Sequence, residues 1–502
     1  MKSADFIVVG AGTAGCVLAR RLVEQTDATV LLLEVGPRYP SWALDPPLIG
    51  LRLRRRWSWP FLSAPQPYLQ GRQIAFPMGR TNGGTSSINA MMHVPGGPAD
   101  AAAWEATGGP AWSPDQLRRF ADRALASMPS APPSFRAPFS EAFLQACLQH
   151  GLARADPLTG HQAQSCGYFN VFQNRGRRGS TATAYLAPVL HHPRLHLHQS
   201  AQVQQILFHH GRASGVLVAR QRSLETLSAG RGVILCAGTF MSPFLLLKSG
   251  IGPAADLAAH GRPVLHDLPG VGESLQDHLS VPLLYQSDRP SPGRPARWLP
   301  SCLHYFWKHQ GVVTSNCCEA GCCLGPAPPD GGPSLEVITH FQTARHPRAV
   351  ELEILLLRPR SRGKVGLPPG PHPAQPSIDP RYLSEPQDRE TLLDGIHQVR
   401  AIAAQPALRA FPLGRELAPG SALRTPAQLE AFLAARASTA YHPVGTCRMG
   451  QDALAVVDPL LRVRGLDGLW IADASVMPAV PTGHPAAAVL TIAEKAAAIL
   501  AT

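Results

Sequence analysis

Apolar and polar positions fall into short blocks along this chain, and the first block sets the frame. The apolar run Phe6-Ile7-Val8-Val9 is followed at once by Gly10-Ala11-Gly12-Thr13-Ala14-Gly15. A helical pattern then opens at Cys16-Val17-Leu18-Ala19-Arg20-Arg21-Leu22-Val23. A second apolar run, Ala28-Thr29-Val30-Leu31-Leu32-Leu33, ends in Glu34. This order predicts strand, tight turn, helix, strand and terminal acid. Gly10 permits the turn, Gly12 lets the backbone approach a pyrophosphate, and Gly15 lets helix and strand pack closely. The unpaired N–H groups at the start of the helix suit phosphate. Glu34 stands 19 residues after Gly15, placed to accept hydrogen bonds from an adenosine ribose. The bland alternative is a glycine-rich turn in an ordinary βαβ unit.

Further along, strand patterns occur at His196-Leu197-His198, Val203 to Phe208 and Gly215-Val216-Leu217-Val218. Gly232 to Thr239 reads as an apolar strand ending in small residues, and Ser242-Pro243 is expected to open a helix with Pro in its first turn. Residues 113–124 and 140–151 read as helices joined by a Pro-rich loop. From about 281 the composition shifts. Strand-like Leu335 to His340 and Leu352 to Leu357 alternate with Pro-rich loops at 325–333 and 368–376, and helices are expected over Asp388 to Ala404 and Pro426 to Ala435. Leu469 to Ala474 is a buried strand with an acid near its end, and Ala486 to Ala501 a long apolar helix. The expected organisation is a nucleotide-binding domain over 1–280, with inserted segments at about 40–75 and 90–190. A second domain, a mostly antiparallel sheet with helices, covers 281–435, and 436–502 returns to the first domain.

Composition narrows the function classes. The chain has 502 residues, 45% of them hydrophobic and 16% charged, with 45 Gly and 50 Pro. Such a length predicts two or three domains. The 46 basic residues exceed the 34 acidic ones, giving a net charge of +12. The arginines are scattered, and no nucleic-acid-reading module is visible. No secretory signal and no apolar run long enough to span a bilayer is found, so the expectation is a cytoplasmic protein, peripheral at most to the inner membrane. The Arg- and Trp-bearing stretch Leu48 to Trp59 could rest on a membrane surface and reads more simply as a surface loop with partly buried aromatics. Ten cysteines are present, four of them as Cys317-Cys318 and Cys322-Cys323. That spacing matches no usual zinc site, so they read as small buried apolar residues, and no metal is expected.

Candidate chemistry comes from three stretches. Gly79-Arg80-Thr81-Asn82-Gly83-Gly84-Thr85-Ser86-Ser87-Ile88-Asn89 can present several N–H groups to a phosphate or a flavin edge. Pro269 to His278 and His442-Pro443-Val444-Gly445-Thr446-Cys447-Arg448-Met449-Gly450 are equally distinctive. With Phe6–Gly15 and Glu34, Gly232–Gly252, Arg358–Gly363 and Gly468–Lys495, they resemble, in order and over almost the whole chain, the glucose–methanol–choline (GMC) oxidoreductases. The resemblance implies an α/β FAD-binding domain of Rossmann type joined to an α+β substrate domain. It implies FAD contacts at Gly10, Gly12, Thr13, Ala14, Gly15, Glu34, Gly79, Arg80, Gly84, Thr85, Asn89, Ala90, Met91, Val203, Ala237, Asp473, Ala474 and Pro485. The cofactor should be non-covalent, because Ile88 stands where covalently flavinylated members carry His. His442 is implied as the base that takes an alcohol proton and His484 as its partner, with Glu319 and Tyr441 as substrate contacts. A salt bridge is the alternative for Glu319. The implied reaction is oxidation of an alcohol by hydride transfer to flavin N5, with oxygen or a quinone as final acceptor. A lean toward an apolar or aromatic primary alcohol follows from the apolar substrate segment, and a flavin-dependent lyase or decarboxylase is the alternative. The loop between the two helices near 113–151 is shorter than in many relatives, which implies a more open site.

Overall fold

The computed structural model describes residues 2–220, 223–287, 295–325, 332–341, 348–370 and 374–502. The Pro-rich loops expected at 325–333 and 368–376 lie partly outside them. Strand β1 (Ser3–Val9) leads through helix α1 (Thr13–Gln25) to β2 (Val30–Leu33). β1 lies parallel to β2 on one side and to β3 (Ser223–Leu235) on the other. Leu195–His198 extends the sheet beyond β2, and Leu469–Ile471 pairs in parallel with the end of β3. β2 is buried along its whole length, which explains its unbroken apolar run: a parallel sheet covered on both faces has no polar side. β3 serves two partners. Its first half forms an antiparallel ladder with Arg212–Arg220, which in turn pairs Gln202–His209.

Helix α2 spans Gly238–Lys248, so it begins earlier than the sequence suggested, and Pro243 lies inside it. A proline there cannot donate to the carbonyl four residues back, which is that of Thr239. The orphaned carbonyl accepts the Thr446 hydroxyl at 2.6 Å, while the Thr239 hydroxyl donates to the Pro443 carbonyl at 2.7 Å. The broken helix bond thus becomes an anchor for the turn after His442. Asp473 anchors the same region. Its carboxylate accepts from Gly238 N–H (2.9 Å) and Ser242 Oγ (2.6 Å) on one oxygen, and from Ser475 N–H (2.9 Å) and Oγ (2.6 Å) on the other.

The second sheet is built on β4 (Leu279–Ser287), β5 (Ala320–Leu324), β6 (Leu335–His340) and β7 (Ala349–Leu356), in the order β4, β7, β6, β5, all antiparallel. Leu413–Ala418 and Ser438–Thr439 pair with β4. Ser165–Tyr168 covers the outer edge of β5, followed by Ala153–Arg154. The sheet therefore draws strands from outside 281–435. The physical reason is edge protection: β5 would otherwise present a row of unpaired backbone groups. Cys322 and Cys323 sit on β5, fully buried in the cores on its two faces, and Cys318 is buried beside Cys323.

Helix α3 (Pro485–Ala501) closes the first domain by packing on α1. The seam holds a charge. Glu494, with no exposed surface, accepts from Arg21 (2.7 Å), Arg123 (3.0 Å) and Tyr185 Oη (2.9 Å). Removing one partner of a buried pair leaves the other desolvated and uncompensated. Glu494→Ala is therefore expected to destabilise the fold by about 3 kcal/mol, measured by denaturant unfolding with Glu24→Ala, on the exposed side of Arg21, as a control of much smaller effect.

Candidate active site

A cavity of about 1030 Å³ opens between the two sheets, and a slot of about 80 Å³ continues it toward β2. Gly12, Trp59, Gly79, Gly84, Cys236, Ala237 and Met241 line both. Glu34 stands at the slot end and His442 and His484 in the cavity, so the space is long and has distinct ends. Its floor is glycine for two different reasons. A Cβ on Gly15 would lie 1.9 Å from the Gly10 carbonyl oxygen, and one on Gly84 would lie 2.7 Å from the Gly12 Cα, so these positions are glycine because protein packs on protein. At Gly12 the nearest protein atom to an added Cβ is 3.8 Å away. The fold itself does not require glycine there; what a side chain would fill is the cavity. Gly12 is also the N-cap of α1 and has no side-chain capping bond, so the helix start offers its N–H groups to an anion.

Glu34 is buried and accepts from Ala11 N–H (3.0 Å) and Gly36 N–H (2.8 Å), one on each oxygen. Burial pushes its pKa up to about 7 against the pull of those donors. A carboxylate has acceptor capacity beyond two bonds, and this one faces the slot. The floor and the acid together fit the pyrophosphate and ribose of a dinucleotide.

At the other end two imidazoles meet, with ring centroids 4.6 Å apart. His442 follows Tyr441, which is held in the left-handed region at φ +66°. Asp277 fixes this strained corner. It accepts the His442 N–H at 2.8 Å and the hydroxyls of Thr439 and Tyr382, while Thr439 Oγ1 accepts the Tyr441 N–H at 2.7 Å. His442 Nδ1 lies 3.0 Å from His278 Nδ1, and His278 Nε2 lies 3.1 Å from the Leu357 carbonyl. A carbonyl only accepts, so His278 carries its proton on Nε2. Burial, reinforced by the charge of His484, lowers the His278 pKa to about 3 and keeps it neutral. Its Nδ1 is then a lone pair, which assigns a proton to His442 Nδ1 and leaves Nε2 as the basic nitrogen. Burial first, then the neighbouring imidazoles of His484 and His278, which make a further positive charge there costly, hold the His442 pKa well below the ordinary histidine range. His484 has a different partner. Its Nε2 lies 2.8 Å from buried Glu336 Oε2. The two imidazoles therefore differ in what stands behind them: a neutral imidazole behind His442 and a carboxylate behind His484.

The cavity collects most residues expected from sequence. Gly12, Thr13, Ala14, Gly79, Gly84, Thr85, Asn89, Ala90, Met91, Ala237, Asp473, Ala474, Pro485, Tyr441 and both histidines line it, as does Ile88. Gly10, Glu34 and Val203 line the slot. Gly15 acts in packing, and Arg80 stands behind Trp59, 5.5 Å over its ring. Glu319 is a correction: it is not a lining residue. It is fully buried under β5 and accepts from Ala137 N–H (2.6 Å) and Ser140 Oγ (3.0 Å), because the backbone there leaves it no path to the cavity and offers it donors. Leu48 to Trp59 is also not a simple loop. Pro47–Leu53 is helical, and Leu48, Leu51, Arg52, Arg54 and Arg55 line the cavity.

Sequence reasoning missed His278, Asp277, Glu336 and the trio His340, Glu351 and Glu353. His278 and Asp277 lay in a motif quoted without a role. Glu336 and His340 were readable from alternation, since positions 336, 338 and 340 of one strand share a face. The trio's ligand atoms lie within 4.8 Å of one another. Burial lowers the His340 pKa, but the 2.8 Å bond to Glu353 and its charge raise it to about 9, so the two form an ion pair.

A GMC oxidoreductase family model matches residues 4–280, and its C-terminal counterpart matches 359–493. The chain belongs to the GMC oxidoreductase family. It is 37% identical to the alcohol dehydrogenase [acceptor] of Pseudomonas putida, over 99% of this chain and 95% of that one. It is 36% identical to the oxygen-dependent choline dehydrogenase of Paraburkholderia phymatum, over 99% and 92%. Among solved structures, pyridoxine 4-oxidase from Mesorbium loti superposes with a TM-score of 0.88 at 30% identity, covering 98% of each chain. A fungal aryl-alcohol oxidase superposes at 0.87 and 25% identity, covering 100% and 99%. This GMC oxidoreductase is thus an FAD-dependent enzyme acting on CH–OH groups, and nothing in these likenesses supports a lyase or decarboxylase. Gly12→Ala tests the cradle. The apoprotein should unfold at an unchanged temperature, while bound flavin, read from its absorbance, should fall to a small fraction of the wild-type occupancy.

Proposed function

We propose that this GMC oxidoreductase oxidises an apolar primary alcohol to the aldehyde, with FAD held non-covalently and electrons passed on to oxygen or a quinone. The observation that carries the reading is the His278–His442 chain, which leaves a neutral Nε2 in the cavity. His442 Nε2 takes the hydroxyl proton, and the resulting alkoxide faces the His484 ring, which is held in place by Glu336. Bound FAD supplies the hydride acceptor at N5. Ile88 supports non-covalent binding, since its alkyl side chain has no atom to attach. Ten free cysteines support a reducing, cytoplasmic compartment. Among the described residues no helix is long and apolar enough to cross a membrane.

The wall built by β6 and β7 supports the substrate class. Glu336 is paired with Leu355 across the ladder, Ile338 with Glu353 and His340 with Glu351. Glu336 reaches His484, so Leu355 and Ile338 lie next to the reacting end. His340 is four residues further, about 13 Å along the strand. Leu355 and Ile338 thus give the alkyl part of an alcohol apolar wall beside the reacting end, with Glu353 opposite Ile338 and bonded to His340. Two features weigh against a quaternary ammonium alcohol. The Tyr441 and Trp59 rings already carry the guanidinium groups of Arg54 and Arg80, at 5.6 and 5.5 Å, and Glu353 is already answered by His340.

Anaerobic bleaching of the flavin by an alcohol panel is the test. Medium-chain alkyl or benzyl alcohols should reduce it at least tenfold more efficiently than choline, and a preference for choline would overturn the substrate class. His442→Ala should slow reduction by about 10²-fold or more; near-normal reduction would remove it from the mechanism. The limiting reduction rate should also stay level as pH falls from about 8 to about 6. An ordinary imidazole would protonate there, but burial keeps His442 neutral. His278→Phe, which deletes the acceptor for Nδ1–H, should cost on the order of tenfold in that rate, the scale at which a functional histidine suffers from losing its orienting partner, while the pH profile stays level because burial, the main cause of the low His442 pKa, remains.

A further inference from the structure

The helix Pro295–Lys308 is only partly held by the protein. Tyr305 is buried, whereas Leu299, Leu303, Phe306 and Trp307 are 68%, 64%, 51% and 78% exposed. Their spacing places all four on one stripe turned away from the core. Four large apolar side chains on one water-facing stripe mark an interaction surface. Its position adds to this. The Val312–Thr314 turn touches both this helix and Pro47–Leu53, and Cys302 is near enough to Arg52 to feel its charge. Because Leu48, Leu51, Arg52, Arg54 and Arg55 line the catalytic cavity, the stripe stands beside its mouth.

The exposed charge beside the stripe is basic, and the half-buried Asp45 near Tyr305 is answered by Arg177 and Arg178. Arg55, Arg56 and Lys308 are exposed, and neither 46–59 nor 299–312 contains an Asp or Glu. A second copy docking face to face would set these cations against one another. A surface of anionic headgroups over acyl chains complements both the charge and the apolar stripe. We propose that this face seats the enzyme on an anionic lipid bilayer, with the mouth of the cavity toward the lipid. On the reading of an apolar alcohol and a quinone acceptor, both then enter from the membrane phase, although the docking itself does not depend on that reading.

The test is co-sedimentation of the flavin-loaded enzyme with vesicles of phosphatidylglycerol and phosphatidylethanolamine, against vesicles of phosphatidylcholine. Binding is expected to the anionic vesicles, and weakened by salt. Leu303→Glu with Trp307→Glu should abolish it. Arg56→Glu and Lys308→Glu should each weaken it about fivefold or more. All variants should keep the flavin spectrum and the rate of flavin reduction by a water-soluble alcohol. Because vesicle binding is read without turnover, it fails independently of the chemistry. Absence of sedimentation with anionic vesicles, or equal binding by the Leu303/Trp307 variant, overturns the proposal. So does a concentration-dependent dimer that this variant disrupts while vesicles go unbound, which would assign the face to a second copy.

Discussion

A carboxylate that takes four hydrogen bonds leaves itself little freedom, and Asp473 passes that rigidity to the whole site. Two of its bonds reach the start of α2, which follows β3, and two hold the turn that leads toward His484. The Thr239–Thr446 bond made possible by Pro243 ties the His442 turn to the same helix. The start of α2 and two stretches some two hundred residues later, the His442 turn and the Asp473 turn, are thereby locked at one corner of the nucleotide-binding sheet. Without that lock, a sheet that grips a dinucleotide and a segment that carries imidazoles would have no fixed relation.

Two histidines with rings 4.6 Å apart cannot both be charged at modest cost in a site shielded from water. The protein decides the matter through the groups behind them. A backbone carbonyl, relayed through neutral His278, tells His442 where its proton sits. A buried carboxylate gives the His484 Nε2 a partner at 2.8 Å. Neither supporting group needs to touch a substrate, yet between them they convert two like side chains into two unlike ones. One Glu336 oxygen is buried without a protein partner, while the other meets the His484 ring.

The first domain was legible because its constraints are local. Glycines at close contacts, an unbroken apolar strand and a terminal acid all lie within the first 34 residues. His442 and His484 were legible through motif likeness, and both line the cavity. What escaped depended on through-space neighbours. Nothing local ties His278 to His442, 164 residues away. Glu319 misled because its donors, the Ala137 N–H and the Ser140 hydroxyl, come from about 180 residues away and leave no mark beside it in sequence. Pro243 misled because its usual place is a helix start, whereas here the missing donor is used inside the helix. The strand Ser165–Tyr168 was hidden because an edge is covered by whichever segment passes, not by one encoded nearby.

The order of the chain also has a consequence for how the site divides. The phosphate-binding turn stands more than four hundred residues ahead of His442, Asp473, His484 and helix α3. A chain cut between them lacks the groups that lock the site, and its sheet lacks the strand Leu469–Ile471. Such a fragment keeps the nucleotide cradle without either imidazole, so cofactor grip and proton chemistry are separable in the polypeptide.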